Sequence, residues 1–205
     1  MSVITSIKPQ RNNKRLNIYL DGKFGFGIDM ENFVKLGLKV EQELDESKVE
    51  EIIKKAEFQK TLDKLLRFAT LRPRSEKEIQ GWLTRKKIHE SMHKELFNRL
   101  NRLELIDDKQ FALWWISQRL EFKPKGKKIL NYELRIKGVD RNIIQEVLET
   151  VEIDEEKIAT QFLAKKEYRF KGLPKREARL KMSQFLARKG LSWEVIEKVV
   201  AKVLK

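Results

Sequence analysis

The chain has 205 residues, no cysteine and a net charge of +14, with 37% of its residues charged. The missing cysteines exclude disulfides, thiolate metal centres and cysteine nucleophiles, and no apolar run is long enough for a bilayer-spanning helix. With no apolar core of a signal peptide in residues 1–14, a cytoplasmic protein is expected.

A field of this sign draws polyanions, and the charge is unevenly placed. Residues 29–51 hold eight acids and three bases, whereas residues 165–189 hold ten bases and two acids. Such segregation is what a binding face requires.

The first thirty residues read as β structure. Val3, Ile4 and Ile7 mark one strand and Leu16–Leu20 a second. Asp21-Gly22 is a two-residue hairpin turn, and Phe24, Phe26 and Ile28 alternate on the return strand. The glycines at 22, 25 and 27 do not form a phosphate loop, because no Gly-Lys-Ser/Thr follows and the segment does not open a helix. Helix is expected from the N-cap Asp29 to Gly37, then from Asp45 to the break at Pro73, with Val49, Ile52, Ile53, Ala56, Leu62, Leu65, Leu66 and Ala69 on its apolar face.

Beyond Pro73 the pattern recurs about every fifty residues. Leu83, Leu134 and Leu186 superpose, as do Ile79, Leu130 and Met182, then Ile88, Val139 and Leu191. His89, Asp140 and Ser192 fall together as N-caps of a following helix, and Arg72-Pro73 falls on Lys123-Pro124. Each repeat reads as three helices, clearest at Asp108–Phe122, Lys127–Lys137 and Asp140–Thr150, with Gly138 and Gly190 as left-handed helix ends. The predicted fold is mainly α: a β-hairpin segment with a short helix (1–45), then three three-helix repeats (46–105, 106–152 and 153–205) stacked into an elongated, curved body.

Catalytic signatures are sparse. His89-Glu90-Ser91-Met92-His93 matches the H-E-x-x-H zinc pattern, but the repeat puts His89 at a helix start and Met92 in the core, so a capping His89 and a half-buried His93 are expected in place of a zinc peptidase. Asp107-Asp108 reads as a helix N-terminus before it reads as a metal site. Trp82, Trp114 and Trp115 are candidate base-stacking groups, although helical spacing with Phe111, Ile116 and Leu120 favours core for Trp115. No enzyme activity, cofactor or metal is predicted. The candidate interface is basic: Lys123, Lys125, Lys127, Lys128, Arg135 and Lys137 in the second repeat, and Arg169, Lys171, Lys175, Arg176, Arg179 and Lys181 in the third, with few acids near enough to pair with them.

Four segments carry a family resemblance over nearly the whole chain. Leu71-Arg72-Pro73-Arg74-Ser75-Glu76-Lys77-Glu78-Ile79, followed by Leu83, is similar to the first signature of the RecX regulatory proteins. Leu105-Ile106-Asp107-Asp108-Lys109-Gln110-Phe111-Ala112 resembles the second. Arg119, Ile129, Glu133-Leu134 and Lys137-Gly138-Val139 follow as in that family, and the N-terminal β segment with Leu20-Asp21-Gly22 resembles its extended members. Departures are modest: Ile88 replaces a frequent glycine, and a Gly-rich stretch is reduced to Pro124-Lys125-Gly126. The resemblance implies a non-enzymatic modulator that binds RecA–DNA filaments and restrains ATP hydrolysis and strand exchange in DNA repair and the SOS response, and the tandem repeats within one chain favour a monomer. Against it stands a nucleic-acid-binding helical repeat protein that acts without RecA.

Overall fold

The computed structural model describes residues 1–11 and 13–204. They fall into two compact bodies, one of Met1–Leu71 with Ile88–Leu100 and the other of Arg72–Lys87 with Asn101–Lys205. Four strands, β1 (Ser2–Pro9), β2 (Arg15–Leu20), β3 (Lys23–Asp29) and β4 (Glu43–Leu44), form an antiparallel sheet in the order β3-β2-β1-β4. The helices are α1 (Met30–Leu36), α2 (Glu46–Thr70), α3 (Glu76–Arg85), α4 (His93–Arg102), α5 (Asp108–Phe122), α6 (Lys127–Ile136), α7 (Arg141–Thr150), α8 (Glu155–Ala164), α9 (Lys175–Ala187) and α10 (Trp193–Val203). The chain is thus mainly helical, with a small N-terminal sheet.

In the first body the hairpin turns at Asp21 and Gly22, whose φ values of 49° and 80° are the two positive angles a tight turn of this kind needs. The Asp21 carboxylate accepts the Val3 N–H at 2.9 Å, and that bond holds its carboxyl below the ordinary value. Alternation along β2 and β3 turns Leu16, Ile18, Phe26 and Ile28 to one face, where they bury with Ile4, Leu38 and Leu44 against Ile52 and Ala56 of α2. The expected caps form: Asp29 accepts the Asn32 N–H, Asp45 accepts the Lys48 N–H, and Gly37 ends α1 at φ 58°.

The second body is helical throughout. The second repeat closes its own core around Phe111, Ile116, Leu130, Leu134, Ile144 and Val147. The third closes another around Ile158, Leu163, Met182, Leu186, Ile196 and Val200. Leu120 and Ile153 pack against both cores and join them. Gly138 and Gly190 end α6 and α9 at φ 86° and 81°, as the repeat predicts. Residues of the predicted first repeat, 46–105, occur in both bodies: α2 lies in the first and α3 in the second.

Two caps differ from expectation. Ser192 stands at the N-cap position of α10 but its hydroxyl makes no capping bond; its own N–H is instead taken by Glu155. His89 caps a single 3₁₀ turn, Glu90–Met92, that precedes α4, so α4 itself opens at His93.

Candidate functional site

Several residues of the family signatures meet at one joint, where α3 packs on the second repeat. Ser75 caps α3, its hydroxyl accepting the Glu78 N–H at 3.2 Å and donating to the Lys137 carbonyl at 2.7 Å. The Asp108 carboxylate accepts the Glu76 N–H at 2.9 Å, while Asp107 accepts the N–H groups of Lys109 and Gln110. This adjacent acid pair therefore serves two helix starts, one in its own repeat and one in the repeat before it. Gly138 follows α6 so closely against α3 that a Cβ there would lie 2.6 Å from Lys77 Cβ.

Above this backbone contact lies a charged and aromatic cluster. The Glu78 carboxylate receives Arg72 through Nη1 and Nη2 at 2.8 and 3.1 Å and Lys137 Nζ at 2.6 Å, with Arg74 at 3.8 Å. Burial raises the Glu78 pKa, but the hydrogen bonds from Arg72 and Lys137 outweigh it and hold the carboxyl below its ordinary value. Glu133 accepts from Arg119 Nε at 2.7 Å and from the Trp115 indole at 2.9 Å. Arg119 and Lys137 lie 4.5 and 4.8 Å from the Trp115 ring centre, and Arg72 lies 5.0 Å from that of Trp114, within cation–π range. Both tryptophans also pack on the core of the second repeat, so these rings are engaged by protein groups.

The same joint recurs between the second and third repeats. Glu155, buried at the start of α8, accepts the Lys127 N–H at 2.8 Å and the Ser192 N–H at 2.9 Å. It repeats the role of Asp108 and adds a second helix start. The Gly126 N–H donates to the Lys189 carbonyl at 2.9 Å and the Lys128 N–H to the Gly190 carbonyl at 3.2 Å. A Cβ on Gly126 would come within 2.2 Å of the Gly190 oxygen, so only glycine fits this approach.

The basic residues of the predicted interface separate into two kinds. Lys137 is held on Glu78, and Lys181 pairs with Glu177 at 2.7 Å. Lys123, Lys125, Lys127, Lys128, Arg135, Arg169, Lys171, Lys175, Arg176 and Arg179 form no ion pair among the described residues. All of these but the half-exposed Lys125 are exposed. Of the other signature positions, Phe111 and Leu134 are fully buried core and Pro73 is exposed. Three cations outside the predicted set, Lys166, Arg188 and Lys189, also form no ion pair among the described residues. The one sequence signal for them was the basic stretch 165–189.

The histidines are locally engaged. His89 Nδ1 contacts Ser91 Oγ at 2.8 Å, and His93 Nε2 lies 2.9 Å from the Ile88 carbonyl. Each ring thus already meets a hydrogen-bond partner beside it in the chain.

Residues 2–45 match the regulatory protein RecX N-terminal domain, residues 107–148 the second three-helix domain of RecX, and residues 154–200 its third. The chain is 34% identical to the regulatory protein RecX of Bacillus licheniformis, over 96% of this chain and 75% of that protein. It is 31% identical to that of Clostridium perfringens, over 99% and 97%. A crystal structure of regulatory protein RecX superposes with a TM-score of 0.75 at 26% identity, covering 97% of this chain and 98% of that one. The crystal structure of RecX from Lactobacillus salivarius gives 0.63 at 26% identity, over 71% and 95%.

Proposed function

The chain belongs to the RecX family of regulatory proteins, and on that footing we propose that it binds RecA–DNA filaments and restrains the recombinase and its ATP hydrolysis without chemistry of its own. The observation that carries this reading is the helical body itself. Backbone-locked repeats there present cations such as Lys128, Lys175, Arg176 and Arg179 that form no ion pair among the described residues. A filament offers DNA phosphates and protein surface together, and repeats joined in one chain add weak contacts through effective concentration. Contact with more than one protomer biases the filament toward whichever state the protein binds better.

The test is DNA-dependent ATP hydrolysis by RecA with this protein titrated in. Suppression well below one copy per recombinase is expected. Suppression only when the protein coats the DNA would make it a competing nucleic-acid binder that needs no recombinase.

A further inference from the structure

The two joints of the helical body have the same construction but a different charge balance. Aligning the N-caps Asp107 and Asp154 sets Trp115 opposite Phe162 and Arg119 opposite Lys166. Aligning Gly138 with Gly190 sets Lys137 opposite Lys189 and Glu133 opposite Phe185. Aligning Leu83 with Leu134 sets Arg72 and Arg74 opposite Lys123 and Lys125, and Glu78 opposite Ile129. Each of the four cations and the Trp115 ring of the first joint has a counterpart at the second, whereas Trp114 falls opposite Gln161. Both carboxylates are gone, replaced by Phe185 and Ile129.

The consequence is visible at Lys189. Its ammonium lies 5.2 and 5.6 Å from the ring centres of Phe162 and Phe185, where Lys137 at the first joint has Glu78 at 2.6 Å as well as a ring. Its backbone is fixed by the Gly126 bond, so it cannot swing away with the chain. Burial, with the charges of Lys125, Lys166 and Arg188, pushes its pKa below the ordinary value. Like charges held together without a counterion are unfavourable. Beside them opens a hollow of about 340 Å³ lined by Arg169, Phe170, Lys181, Gln184, Phe185 and Arg188.

We infer that the second joint is a phosphate-binding site for a DNA strand, with Lys125, Lys166, Arg188 and Lys189 taking the anion that Glu78 and Glu133 supply internally at the first joint. A polynucleotide fits better than an acidic protein face. The cations extend from the cluster into the hollow as Arg169, with Lys181 there paired to Glu177, and a nucleic-acid backbone delivers charge at regular short intervals. Contacts of this kind position a strand without reading its sequence. This site rests on the reading above that the protein works on DNA-bound filaments, and names where the DNA is held.

The test uses the full-length protein and a labelled single-stranded oligothymidylate without recombinase, titrated over a series of salt concentrations. The Lys166→Gln/Lys189→Gln variant is expected to bind about tenfold more weakly or worse, with the salt slope flattened by about 1.4, the share of two single-strand phosphate contacts. Arg188 is exposed, so Arg188→Gln reports the same site without disturbing the core, and a loss of about threefold is expected. Unchanged affinity and slope in both variants would overturn the site. Retained oligonucleotide affinity with lost filament binding would assign the cluster to an acidic protein surface and equally overturn it. If the wild type restrains RecA while both variants bind the oligonucleotide normally, this inference fails and the proposed function stands. If the wild type leaves RecA untouched while the variants lose the oligonucleotide, the reverse holds.

Discussion

Glu155 is a buried acid whose two oxygens each accept a backbone N–H from a different helix start. Removing it orphans both donors at once, so Glu155→Ala is expected to cost about 2–4 kcal/mol, twice the loss of a single cap. Glu155→Gln keeps an acceptor and should cost about half as much. Urea denaturation measures both, and a change in Glu155→Ala below about 0.5 kcal/mol would contradict the assigned role. Glu78 makes a pH-dependent prediction. Its carboxyl is held below its ordinary value in the folded protein, so the unfolded chain takes up its proton first as pH falls. The stabilisation is therefore complete above the ordinary carboxylate value of 4.5 and is lost as pH drops through the lower folded value. Wild type and Glu78→Gln should differ by about 2 kcal/mol near neutrality and converge in acid; a gap that stays constant down to about pH 2 would refute the assignment. Caps within one helix, such as Asp29, Asp45 and Asp107, were legible in the sequence because donor and acceptor lie within three residues of each other. The caps supplied by Asp108 and Glu155 to another repeat were not, since helix-start rules do not say which distant N–H a spare carboxylate will meet. Lys137 was placed on the basic face for the same reason: its partner Glu78 is a residue of another repeat.

At the level of whole elements, local pattern carried far. The helices of the second repeat begin and end within a residue of where periodicity, caps and glycines put them, because each boundary has a local chemical cause. Docking of one repeat on the next has no such local signature. It depends on glycines whose missing Cβ is needed only once the neighbouring chain arrives. Gly190→Ala would force a side chain into a backbone with φ 81° and within 2.7 Å of the Ile129 nitrogen. The backbone conformation alone costs about 1–2 kcal/mol for an L-residue, and the clash adds to it. Gly126→Ala meets the same joint from the other side, 2.2 Å from the Gly190 oxygen. Both variants are expected to uncouple the third repeat while its own core, centred on Leu163 and Leu186, stays intact. Hydrogen exchange should then show fast exchange at the Gly126 and Lys128 amides with α8–α10 still protected. Protection of those two amides at the wild-type level would show that the joint tolerates a side chain.

For the whole molecule, binding through several repeats at once separates two ways of losing affinity. Each exposed cation contributes one screened contact, so Lys175→Ala should weaken filament binding by no more than about threefold at physiological salt. Deleting the third repeat after residue 152 removes an entire set of contacts and the intramolecular advantage that links them to the rest. Its loss should be about a hundredfold or more. The second repeat retains its own core around Phe111 and Leu134 in such a deletion, although it gives up the Glu155 cap on α6. The uncoupling variant Gly126→Ala provides the necessary comparison. It keeps every cation but loosens the joint, so its affinity should fall between the two, by the amount that rigidity rather than charge contributes. Filament co-sedimentation over a salt series measures all three. Equal affinity for the full and shortened chains would mean that the repeats do not act together, and the summed-contact reading would have to be abandoned even if RecA itself remained the partner.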